Sequence, residues 1–168
     1  MNPQRTYEYL HLARTRVLQA SRSLDLKQHT APFEMGMGTL GETLTHIMIC
    51  EWAYVKRIAG EDVPPYDQWI FDDRDPPPLA ELENAWATQA ERTREVIAQV
   101  QDWDTPFEFR GHWENRDVIV TASRADVFTQ LVLHEVHHRA QAMNMLRRLG
   151  APVEELDFNT MMYSRRDA

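Results

Sequence analysis

Stepping by four and three from Val127 gives Val127, Leu131, His134, His138, Gln141 and Met145, a helical seam in which two histidines stand where aliphatic residues are expected. His134 and His138 are four residues apart, so they lie one above the other on a single helix face. Their Cα atoms are then separated by about 6 Å along the axis, a spacing at which two imidazoles can grip one metal ion. Left without an ion, two neutral rings buried on one seam need partners for all four ring nitrogens. Each unpaired buried polar group costs roughly 1–3 kcal/mol. A shared ion satisfies one nitrogen of each ring at once.

A third ligand has to come from another helix. His46 lies beside Leu44 and Ile47, within the apolar arc of an earlier helical segment. Taken alone, it reads equally as a buried histidine bonded to a backbone carbonyl. Joined with His134 and His138, it gives three neutral imidazoles from two helices. That is the layout of a catalytic divalent-metal site with one position left for water or substrate. Such an ion activates water or holds a low-molecular-weight thiol as its nucleophilic thiolate. Imidazole suits zinc and nickel alike, so the donor set does not choose between them.

The remaining candidates are weaker. His137 neighbours His138 but points about 100° away, at the edge of the seam or in an interface. His11, His29 and His112 have no periodic partner and read as surface or loop residues. Cys50 follows His46 by one turn, which permits a His-x3-Cys ligand pair; the alternative, a small buried residue, is the preferred reading. His134-Glu135-Val136-His137-His138 also satisfies the H-E-x-x-H pattern of zinc hydrolases, in which Glu135 is the general base. Those enzymes generally need an edge strand to hold a peptide and a further downstream ligand, for which Glu154 or Glu155 is available. The competing reading of Glu135 is a solvated helix residue, and it is preferred.

Four helical segments must position these side chains. The first runs from about Thr6 to Leu24, with Tyr7, Leu10, Ala13, Val17, Ala20 and Leu24 on its apolar side and Arg14, Arg16 and Arg22 between them. The second runs from about Thr39 to Ile58 and stops at Gly60. The third spans roughly Leu79 to Val100, behind Pro76-Pro77-Pro78, which no helix can run through. The fourth spans about Arg124 to Leu149. Ser123 and Asp126 form a near capping box at its start, and Gly150 and Pro152 mark its end. Two connections are long. Residues 61–77 read as an ordered surface loop. Within 104–122, Phe107-Glu108-Phe109 and Val118-Ile119-Val120 are β-like around Asn115, which predicts a short hairpin before the last long helix. In the tail, Leu156-Asp157-Phe158 and Met161-Met162-Tyr163 are placed to pack back on the bundle. The prediction is an all-α four-helix bundle with long connections, one domain over residues 1–168.

Charge and composition remove several classes of function. Eighteen Lys and Arg against 26 Asp and Glu leave a formal charge of −8, which argues against nucleic acid as the main partner. One cysteine excludes an internal disulfide framework and a cysteine-rich zinc site. No apolar run approaches the ~20 residues that cross a bilayer, and the polar start carries no leader-like segment, so a cytoplasmic protein is expected.

With these pieces in place the chain resembles a known group. Leu44-Thr45-His46-Ile47 precedes Glu51-Trp52-Ala53-Tyr54. Much later come His134-Glu135-Val136-His137-His138-Arg139-Ala140-Gln141, then Leu149-Gly150-Ala151-Pro152 and Leu156-Asp157-Phe158. The pattern is similar to the DinB-like (DinB/YfiT) family of metalloenzymes, whose name does not denote the DNA polymerase that shares it. Ala140 departs from the glycine often found there. The resemblance implies a four-helix bundle holding nickel or zinc on His46, His134 and His138. It also implies a homodimer and a small-molecule substrate. Some members transfer bacillithiol, or use mycothiol or glutathione. The expectation is therefore a metal-dependent enzyme of the thiol S-transferase or hydrolase type. The alternatives are a non-catalytic metal or small-molecule binding module, and a metal-free bundle whose histidines are core residues.

Overall fold

A computed structural model describes residues 2–113 and 116–167. Asn115, expected at the turn of the hairpin, lies outside the described residues. The helices start and stop where local chemistry dictates. Helix α1 (Pro3–Ser21) opens with Asn2, whose side chain accepts from the Arg5 N–H, and carries Pro3 in its first turn. It ends three residues before Leu24, as Ser23 and Leu24 donate to carbonyls three residues back and tighten the last turn. A short helix, α2 (Leu26–His29), follows behind an Asp25–Gln28 capping box. Helix α3 (Leu40–Ala59) is capped by Thr39 and closed by Gly60 in the left-handed region at φ 78°. Helix α4 (Leu79–Gln99) begins directly after the proline triplet.

The predicted hairpin is present and longer than its two β-like triplets. Strand β1 (Pro106–Trp113) pairs antiparallel with β2 (Arg116–Ser123), placing Phe109 opposite Val120. It leads straight into α5 (Arg124–Arg148), where Ser123 and Asp126 complete the anticipated capping box. The 61–77 loop is ordered and contains a 3-10 turn, Tyr66–Gln68.

Helices α1, α3, α4 and α5 form the bundle, and α5 packs chiefly against α3. Its core has two apolar clusters. One joins Leu44, Ile47, Met48, Trp86, Met145 and Leu146; the other joins Tyr7, Leu10, Ile58, Ile97, Phe128 and Leu131. The tail packs as expected through Leu156, buried in the first cluster, and through α6 (Phe158–Met162), whose Phe158 ring meets Tyr9 at 5.1 Å. Tyr163 departs from that expectation and stays 60% exposed. Among the described residues no helix is long and apolar enough to cross a membrane.

Two charges expected at the surface are instead buried. Arg14, placed on the polar side of the first helix, is 4% exposed, and Glu135, read as solvated, is 2% exposed. They meet: Arg14 bridges Glu135 at 2.9 Å and Glu51 at 2.7 Å, and Arg139 holds the other Glu135 oxygen at 3.1 Å. Glu51 also accepts from Tyr7, Thr93 and Trp86 at 2.6–2.9 Å. Three helices are thereby tied to α1 through carboxylates whose lone pairs are well occupied, the condition under which a charge tolerates burial.

Candidate metal centre

His46 projects from the second turn of α3 towards α5, where His134 and His138 occupy successive turns of the facing seam. The three rings pack against one another, with centroids 4.5–4.9 Å apart. One nitrogen from each ring can be chosen so that all three lie within 4.8 Å of one another. Burial follows the seam: Val127, Leu131 and Met145 are inside the core, whereas His134, His138 and Gln141 are half-buried at its edge.

The outer nitrogens have fixed partners. His46 Nδ1 donates to Asp73 Oδ2 at 2.7 Å, and His138 Nδ1 donates to Gln141 Oε1 at 2.8 Å. Both acceptors are oxygens, so each Nδ1 carries the hydrogen and each Nε2 keeps a free lone pair. A carboxylate behind a ligand histidine orients the ring and raises its basicity. Asp73 is itself held, its Oδ1 accepting from the Tyr66 hydroxyl at 2.6 Å. The 61–77 loop therefore does more than cover the surface; it steers His46.

The donor set fits a divalent ion. His46 Nε2 and His134 Nε2 face each other at 3.1 Å. Two such nitrogens need something positive between them: a hydrogen carried by His134, or a cation shared by both. Nitrogens bound at ~2.0–2.1 Å in a tetrahedral site stand about 3.3 Å apart, close to this separation. Burial and the neighbouring imidazoles push the His134 pKa down to about 3, and burial lowers that of His138 as well, which keeps both rings neutral and able to ligate.

The DinB family model matches residues 1–167, essentially the whole chain. The chain belongs to the DinB family. No curated protein matches it closely enough to count as a relative. For this DinB protein the residues quoted for the resemblance divide by position. His46, His134 and His138 converge at the site. Glu135 does not: it lies about 100° round α5 from His134, buried against α1, and both its oxygens are engaged by Arg14 and Arg139. The H-E-x-x-H reading fails on that geometry, because a general base must reach the water beside the ion.

The other histidines are placed elsewhere. His137 is exposed next to His138, with ring centroids 4.8 Å apart. His11 corrects the surface-or-loop reading, being half-buried in α1; His29 is half-buried too, its Nε2 3.0 Å from the Ser21 carbonyl. His112 is exposed on β1, 3.1 Å from Asp117. Cys50 lies beside the site, its Sγ 3.8 Å from His46 Nε2. Burial, with the Asp73 carboxylate adding to it, pushes its thiol up to about 12, so it is a neutral thiol at physiological pH.

Asp73 and Tyr66 were not legible as site residues. The only signal was a second acidic residue in Asp72-Asp73, and a loop gives no period from which to infer direction. Replacing Asp73 by Ala is expected to weaken zinc binding by 10- to 100-fold, measured by competition with a chromophoric chelator. Tyr66→Phe, which leaves the carboxylate in place, is expected to cost less than Asp73→Ala.

Proposed function

We propose that this DinB protein is a metal-dependent enzyme acting on a small molecule, of the thiol S-transferase or hydrolase type. The observation that supports the reading most is the set of three imidazoles from α3 and α5 whose ring nitrogens converge, two of them oriented from behind by Asp73 and Gln141. Zinc or nickel is the ion this set suits. When bound, a divalent ion supplies a Lewis acid with a position open to water or a thiolate.

The chain's own residues supply the rest. His46, His134 and His138 hold the centre, and Asp73 keeps the His46 ring turned towards it. Tyr54 stands beside the centre with its ring 5.6 Å from His134, and the Trp52–Trp69 pair packs α3 against the 61–77 loop. The Tyr54 ring offers an apolar surface to a substrate beside the centre. Among the described residues no carboxylate other than Asp73 bonds to the three histidines, so proton transfer falls to the substrate or to solvent.

The test is a panel of thiol-transfer and ester-hydrolysis assays on protein loaded with zinc or with nickel. Turnover is expected with one of these ions and is expected to vanish in His134→Ala. Saturable ligand binding with no product from any substrate would favour the binding-module reading instead.

A further inference from the structure

Arg57 lies in the last turn of α3, about three turns beyond His46 and on the same side of the helix. Its guanidinium carbon stands 5.9 Å from the Tyr54 ring and 5.0 Å from the Phe109 ring of the hairpin. Its side chain makes no ion pair or hydrogen bond among the described residues, and its Nε is buried without a partner. Other basic groups nearby are already engaged: Lys56 pairs with Glu61, Arg74 with Asp72, and Arg124 donates to the Ile58 carbonyl. Arg57 is half-buried without a counter-charge, and an unsatisfied buried donor in a folded protein asks for a partner.

The route from Arg57 to the histidines is one aromatic wall. Tyr54 touches both, 5.6 Å from the His134 ring on one side and 5.9 Å from the guanidinium on the other, so the two ends are no more than about 12 Å apart. Long side chains on a helix lean towards its N-terminus, which turns Arg57 back towards the centre. The fork of a guanidinium matches the two oxygens of a carboxylate.

We propose that Arg57 is the anion-recognising end of the same site. The ligand it implies is a small molecule with a carboxylate at one end and a donor atom for the three-histidine centre at the other, lying along Tyr54. This rests on the metal-centre reading and narrows its substrate class to anionic molecules. The hairpin then has a part in binding, since Phe109 holds the guanidinium in place.

The experiment uses the full chain loaded with cobalt, whose visible spectrum reports ion uptake and whose thiolate charge-transfer band reports thiol binding. Two probes of matched length are titrated: 6-mercaptohexanoate and the neutral 6-mercaptohexanol. The wild-type protein is expected to bind the carboxylate probe about tenfold more tightly, the worth of one charge-assisted hydrogen-bonded pair. Arg57→Met is expected to abolish that preference while leaving cobalt uptake and 6-mercaptohexanol affinity unchanged. Arg57→Lys, which keeps the charge and loses the fork, is expected to retain part of it. Equal affinities in the wild type, no thiol band from either probe, or a preference that survives Arg57→Met would each overturn the assignment while cobalt uptake leaves the metal centre standing. Failure to take up cobalt would overturn the metal centre and this inference with it.

Discussion

Stripping the bound ion with a chelator is expected to lower the melting temperature by about 10 °C. A ligand that binds only the native state adds roughly 4 kcal/mol when its free concentration stands about 1,000-fold above Kd. In a chain of this size each kcal/mol shifts the midpoint by about 2–4 °C. The ion would join α3 to α5 through His46, His134 and His138, helices that no disulfide links, since Cys50 is the only cysteine. The same chelator is expected to leave the melting temperature of His134→Ala unchanged. Calorimetry with and without chelator measures both. A wild-type melting temperature indifferent to the chelator, after loading with zinc and with nickel, would favour the metal-free bundle.

Arg14→Met is expected to destabilise the protein by about 3–5 kcal/mol, the usual cost of removing one partner from a buried ion pair. The loss comes from the carboxylates that remain. Glu51 and Glu135 are each 2% exposed, and Arg14 contacts both. Without it, Glu51 keeps Tyr7, Thr93 and Trp86 as donors, and Glu135 keeps Arg139. Burial already raises the Glu135 pKa, and the Arg14 charge is the largest influence opposing that rise. Adding Glu51→Gln to Arg14→Met is therefore expected to recover part of the loss, because the neutral amide leaves no unpaired charge at that position while Glu135 keeps Arg139. Urea unfolding of the single and double variants measures this. A loss below about 1 kcal/mol for Arg14→Met would mean that the network contributes little beyond its apolar surroundings.

The α5 seam is legible because helical period assigns a direction to every side chain, and His134 and His138 break an otherwise apolar row. His46 is legible for the same reason within α3. Capping box and stop residues then fix the ends of α5, and the structure places them at Ser123–Asp126 and Gly150 as the local rules require. Arg14 and Glu135 defeat that logic. Charged residues on a bundle helix ordinarily mark the solvated face, and only the neighbouring helices show that these two are paired inside. Asp73 is hidden for a different reason: it sits 27 residues from His46, on a loop whose path depends on tertiary contacts such as Tyr66 to Asp73. Arg57 reads from sequence as a cation suited to a helix C-terminus, and its lack of a counter-charge appears only once the hairpin is folded beside it.

Three imidazoles from α3 and α5 are expected to hold one divalent ion. The most direct test is elemental analysis of untagged protein, purified without added metal or chelator and then equilibrated with zinc or nickel. One ion per chain is expected in the wild type, and none when His46, His134 and His138 are all replaced by Ala in a variant shown to be folded. An ion content unchanged by that triple replacement would contradict that expectation.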